Sequence, residues 1–165
     1  MAADVWIAVS PTDDRLRGLY MRHYSSKKAT QRRGPSTPAQ RRIVGPGECW
    51  AALTPDALAG FVWRWARYRQ DDQDGVECTL FRNEGTSVAR SSDLIRAAVE
   101  TAQQRWLGLR LFTFVDPREI RSTNPGACFI AAGWRRLPTP TKRGLRVLEA
   151  PQRRGEAPTT ITGGA

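Results

Sequence analysis

Between Leu109 and Val115 the chain runs Leu-Arg-Leu-Phe-Thr-Phe-Val, an almost unbroken apolar stretch of strand length. With so little polar alternation the strand has no face for water, so both of its sides must be covered. Directly before it, Ser91 to Trp106 carries Leu94, Ala98 and Ala102 on one stripe and Ile95, Val99 and Trp106 beside it, the spacing of an amphipathic helix. Ser91 or Ser92 is placed to cap that helix, and Asp93 suits its positive end. A helix leading into a doubly covered strand demands a sheet with helices against it, which predicts an α/β chain.

The remaining segments extend this pattern. Val5 to Val9 is a β-type run ended by Ser10-Pro11, after which Asp13-Asp14 open a helix through Leu16, Leu19 and Tyr20. Gly34, Pro35, Pro38, Gly45, Pro46 and Gly47 make a long basic loop the expectation for about 25–47. Cys49 to Leu53 and Phe61 to Tyr68 suit two strands joined at Thr54-Pro55-Asp56, although Ala57 to Ala66 also fits a helix, and Val76 to Phe81 reads as a third strand. Asn124-Pro125-Gly126 starts a short helix over Ala127 to Ala132, with Gly133 as its C′ residue. Trp134 to Arg136 and Leu145 to Leu148 close the order as two strands across a turn containing Gly144. The expected organisation is a single domain over 1–150 followed by a disordered tail, 151–165.

Charge narrows the class of partner. The 26 Lys+Arg against 16 Asp+Glu leave a net +10, and 23 of the cations are arginine. Nine of them fall between Arg15 and Arg42 with no Asp or Glu among them, and seven more lie between Arg135 and Arg154 against Glu149. Such clustering suits a polyanion, since the guanidinium fork binds phosphate in a bidentate way; an arginine-rich coding bias would give the same excess. No apolar run reaches the ~20 residues of a membrane span, and Met1-Ala2-Ala3-Asp4 lacks the features of a secretion signal, so a soluble cytoplasmic protein with no membrane partner is expected. Cys49, Cys78 and Cys128 are an odd, widely spaced set, which argues for reduced thiols in or near the core.

Several residues are candidates for chemistry. Arg82-Asn83-Glu84-Gly85-Thr86-Ser87 joins a strand to the long helix, where backbone N–H groups can receive phosphate; a strand-to-helix turn with one glycine is also common for purely structural reasons. Asp116 follows the buried strand and should sit at the sheet edge as a base or an orienting group, or else cap the turn before Pro117. His23 is the sole histidine, so no multi-histidine metal centre is available and no metal site is expected. Tyr20, Tyr24, Trp63, Trp65 and Phe129 suit either base stacking or the core. Ser87 and Cys128 lack the adjacent base and the Gly-x-Ser-x-Gly pattern of a hydrolase.

Taken in order, His23-Tyr24-Ser25, Arg82-Asn83-Glu84, Phe114-Val115-Asp116-Pro117 and the stretch from Asn124-Pro125-Gly126 through Cys128-Phe129-Ile130 to Gly133-Trp134 resemble the phage Mom-type DNA-modification proteins. These are a divergent branch of the GNAT acyltransferase superfamily, and the resemblance covers roughly residues 20 to 149. It implies a GNAT-like mixed central sheet flanked by helices in one domain, a phage setting, and a transferase that adds a carbamoylmethyl-like, acyl-derived group to the adenine amino group of DNA. It implies Asp116, Tyr24 and Glu84 as catalytic residues, and acetyl-CoA or a related acyl-CoA as donor, held by Arg82, Gly85 and Ser87. Substrate DNA would meet His23, Ser25, Arg32, Arg33, Ser122 and Asn124. Two departures stand out: Phe129 occupies the place of the family's tyrosine, and the phosphate loop is matched only as Arg82-x-x-Gly85-x-Ser87. A GNAT acetyltransferase of small amines or protein lysines and a non-catalytic basic DNA-binding protein are the alternatives, and a homodimer is left open.

Overall fold

The computed structural model describes residues 4–23, 43–120 and 124–153. The order is β1 (Ile7–Val9), α1 (Asp14–Arg22), β2 (Glu48–Leu53), β3 (Ala59–Trp65), β4 (Val76–Asn83), α2 (Ser91–Arg105), β5 (Leu111–Val115), α3 (Ala127–Ala131), β6 (Arg135–Arg136) and β7 (Arg146–Glu149). The strands form one sheet in the order β1-β2-β3-β4-β5-β7-β6. All neighbours are antiparallel except β4 and β5, whose parallel pairing requires the crossover that α2 provides. The ambiguous Ala57 to Ala66 is a strand, turned back on β2 at Ala57, which has a left-handed φ of 56°.

Each face of the sheet buries its own cluster. On one side α2 lays Leu94, Ile95, Ala98 and Ala102 against Phe61, Trp63, Val76 and Cys78. Two indoles pin this helix, Trp63 Nε1 donating to the Ala98 carbonyl and Trp6 Nε1 to that of Leu94, each at 2.9 Å. On the other side α1 sets Leu16 and Leu19 against Val62 and Leu80. Asp13 caps α1 as expected, accepting from the Arg15 and Leu16 amides. The cap of α2 differs from expectation: Arg90 is the N-cap residue and offers no side-chain bond, while the Ser91 hydroxyl accepts from Asn83 Nδ2 at 3.0 Å.

Strand β4 contains the irregularity that shapes the site. Val62 faces Leu80 while Trp63 faces Cys78, so Thr79 is an extra residue and forms a bulge. The insertion shifts the side-chain phase: Cys78 lies on the α2 face, but Leu80, two residues on, lies in the cluster beneath α1.

The basic segment 24–42 and residues 154–165 lie outside the described residues. Pro151 to Arg153, in the stretch expected to be tail, are among the described residues, and Gln103 Nε2 donates to the Pro151 carbonyl at 3.0 Å. Among the described residues no helix is long and apolar enough to cross a membrane.

Candidate functional site

The parallel pairing of β4 with β5 ends after three pairs, at Cys78 opposite Thr113. Beyond this point the strands have no ladder between them, and a cavity of about 480 Å³ occupies the fork. Its walls come from both faces of the sheet. Cys78, Phe81, Thr113 and Val115 belong to the α2 side, joined by Gly126 to Phe129. Glu77, Leu80, Phe114 and Asp116 alternate with them toward the α1 side, where His23, Arg118, Arg143 and Leu145 complete the lining. The fork therefore reaches through the sheet. Gly126 (φ 82°) lets α3 start hard against β7, since a Cβ there would come within 2.8 Å of Leu148 Cδ1.

Asp116 ends β5 with its side chain only 4% exposed. Its Oδ1 accepts from the Arg118 amide at 3.1 Å and from Arg118 Nε at 2.9 Å, and its Oδ2 accepts from Arg118 Nη2 at 3.0 Å. This fork-to-fork pair holds a carboxylate in the cavity wall, and the carboxylate in turn raises the Arg118 pKa. His23 is neutral at physiological pH: burial, and then the charge of Arg82, pull its pKa down to about 4. Burial pushes up the Cys128 thiol and, much further, that of Cys78. Burial also raises the Glu77 carboxyl against the pull of Arg69, which donates to it at 2.7 Å.

Glu84 is arranged differently. It accepts from Arg22 at 2.6 Å and from Arg82 at 2.9 Å, which together hold its carboxyl at about 2. These pairs tie the last turn of α1 to the end of β4, and Glu84 is outside the cavity lining. Arg82, Gly85 and Ser87 are likewise outside it. Side chains already occupy the loop's amides: Gly85 and Thr86 donate to Asn83 Oδ1 at 2.9 and 3.0 Å, Val88 to Thr86 Oγ1 at 3.2 Å, and Ser87 to Asp56 of the β2–β3 turn. The Thr86 hydroxyl also reaches Asp56, at 2.7 Å, stapling the loop to the β2–β3 turn.

Of the residues proposed from sequence, the structure brings His23, Asp116 and Asn124 together around the cavity, with Phe129 beside them. Phe129 packs edge-on against Phe81 and Trp134, with ring centroids 5.9 and 4.8 Å apart, and presents no hydroxyl. Trp63 is wholly buried and belongs to the core. Tyr24, Ser25, Arg32, Arg33 and Ser122 lie outside the described residues. Arg118 and Arg143 were missed by the sequence reading. The Asp-Pro-Arg order at the strand end was the available signal for the first, since an arginine two residues beyond an aspartate can fold back on it; nothing marked the second. Among the described residues no group of three or more His, Cys, Asp or Glu is arranged to hold a metal ion.

No family model and no curated protein matches this sequence. Among solved structures it is similar to an acyl-CoA N-acyltransferase from Pseudomonas aeruginosa, with a TM-score of 0.52 and 14% identity. The match covers 88% of this chain and 98% of that one. The mixed seven-stranded sheet with flanking helices, which the order of elements predicted, is thus the fold of the GNAT acyltransferases, as the resemblance implied.

Proposed function

We propose that the protein is a GNAT-type transferase that adds an acyl-derived group to the amino group of adenine in DNA. The observation that carries this reading is the cavity through the strand fork, with the buried carboxylate of Asp116 in its wall. A thioester donor suits the fork. Among the described residues Thr79 to Phe81 have no strand beside them on the β5 side, so their edge is available to an extended arm bearing amides, and Leu80, Phe81 and Phe129 supply apolar walls. An acyl thioester, when bound, supplies an electrophilic carbonyl carbon. Because the amides of 85–88 already have acceptors, phosphate at that end depends on side-chain cations such as Arg82 and Arg90.

Two features favour DNA as acceptor. The chain carries a net +10, and its segment 24–42, with six Lys/Arg and no acid, is joined covalently to His23 on the cavity wall. A target base must leave its stack to reach such a cavity, and a cationic approach holds the flanking phosphates while it does so. The adenine amino group is a poor nucleophile because its lone pair is delocalised into the ring. Asp116 assists by accepting its hydrogen bond and then its proton, exchanging one bond to Arg118 as it does so. Neutral His23 offers a second polar group without adding a charge beside the leaving group, and Tyr24 is the proton donor that the resemblance suggests.

Nucleoside mass analysis of DNA from expressing cells tests this reading. A heavier deoxyadenosine is expected with the wild type and none with a folded Asp116→Ala variant; unmodified DNA from well-folded wild-type protein refutes the reading. The similarity to an N-acyltransferase favours a second reading, acetyl transfer from acetyl-CoA to a small amine or a protein lysine. Release of free thiol from acetyl-CoA with such amines, and no change in DNA, would select it.

A further inference from the structure

The mouth of the cavity on the Asp116 side has a pair of arginines whose hydrogen-bonding capacity is only partly used. Arg118 lines the cavity, yet its side chain is 62% exposed. Its Nε and Nη2 face Asp116, and Nη2 also donates to the Arg143 carbonyl at 3.2 Å, which brings the β6–β7 turn over the end of β5. Nη1 has no acceptor among the described residues. Arg143 lines the same cavity, and its guanidinium has no acceptor among the described residues either. Lys142 stands next to it in the chain. Among the carboxylates of the same lining, Asp116 is paired with Arg118 and Glu77 with Arg69, while Glu119 is exposed, has no ion pair among the described residues, and its field reaches Arg118.

We infer that Arg118 and Arg143 form an anion subsite that takes a phosphate of the acceptor, beside the carboxylate that handles its amino group. This rests on the reading that the acceptor is a nucleotide unit of DNA. The geometry separates the two duties of Arg118. Two of its nitrogens fix Asp116, and the third, like the Arg143 guanidinium on the same cavity lining, has no acceptor among the described residues and is left for an incoming anion. The 5′-phosphate of the reacting nucleotide is the chemistry that two neighbouring guanidinium groups recognise. The same chemistry could come from the phosphates of an acyl-CoA donor, so the test compares both sources.

The experiment is calorimetric titration of the purified full chain with deoxyadenosine 5′-monophosphate and with deoxyadenosine, and in parallel with CoA and with pantetheine. The nucleotide is expected to bind roughly tenfold tighter than the nucleoside, as one or two charge-assisted contacts predict. Arg143→Gln, at a side chain with no hydrogen bond among the described residues, should remove most of that preference, and Arg118→Gln the same. Arg136→Gln, an exposed cation outside the cavity, should keep it. Glu119→Gln should strengthen it. Equal binding of nucleotide and nucleoside, no measurable binding of the nucleotide, or a preference that survives Arg143→Gln overturns the inference. So does a CoA-over-pantetheine preference lost in Arg143→Gln while the nucleotide pair is unchanged, which would give these arginines to the donor. Because binding is read without turnover, this result stands apart from the DNA mass analysis that tests the reaction itself.

Discussion

Replacing Glu84 by Gln keeps its shape and removes its charge, which isolates the electrostatic part of the staple between α1 and β4. The carboxyl is held at about 2 against an ordinary 4.5, first by Arg22 and then by Arg82. Taken at face value a shift of this size is worth roughly 3 kcal/mol. The Arg22 and Arg82 side chains are 55% and 31% exposed, so water and salt screen the pairs, and ~1 kcal/mol is the expected net contribution. The sign follows from a depressed acid: the stabilisation is complete above pH 4.5 and is lost as pH falls toward 2, with more than half gone by about pH 3. Urea unfolding of both proteins at pH 7 and pH 3 checks it. Wild type should exceed Glu84→Gln by ~1 kcal/mol at pH 7 and by less than half that at pH 3. An equal gap at the two values would show that shape rather than charge is responsible, and no gap at pH 7 would remove the staple altogether.

Asp116→Asn should lower DNA modification by roughly a hundredfold or more. Its urea midpoint should fall but the variant should fold, because the new Oδ1 can still accept the Arg118 amide and Nε bonds while its Nδ2 cannot accept from Nη2; near-normal modification by the folded variant would rule out proton acceptance by Asp116. In NMR the His23 ring should titrate near pH 4 and not near 6.5, and since the unfolded chain takes the proton first, stability contributed by His23 should fall as pH drops from about 6.5 to about 4. Gly75→Ala places a Cβ against the Arg110 carbonyl at a backbone φ of 116°, so it should cost about 3 kcal/mol in unfolding measurements and weaken the Val76 to Arg110 bond that starts the β4–β5 pair.

The sequence made the covered parts of this fold legible and left its irregular parts hidden. Leu111 to Val115 could be read because a strand buried on both sides writes itself as continuous apolar residues, and α2 because one buried face repeats at helical spacing. Asp116 could be placed because the strand had to end at Asp-Pro. The bulge at Thr79 left no such mark: Cys-Thr-Leu-Phe alternates as well in an unbroken strand, and only the partner strand reveals the extra residue. Glu84 and the 85–88 loop show the opposite failure. Their residue types suit chemistry or phosphate binding, but Arg22, which takes Glu84, and Asp56, which takes the Thr86 hydroxyl, are remote in the chain, and the side chains of Asn83 and Thr86 fold back on the other amides. Ser91 was expected to cap its own helix for the same reason, whereas its hydroxyl is taken by Asn83.

The short parallel join between β4 and β5 also governs the order in which this protein can assemble. Strands β2, β3 and β4 are sequence neighbours joined by the turn 54–58 and the loop 66–75, and their antiparallel ladders close over less chain than the β4–β5 crossover spans. Attaching β5 with β7 and β6 requires closure across the whole of α2 for three residue pairs, a contact that loop entropy delays. The cavity does not exist until that late join is made, and a fluctuation that parts it erases the site while the hairpins stay folded. On heating, the cavity is expected to be lost before the β2–β3–β4 ladders part.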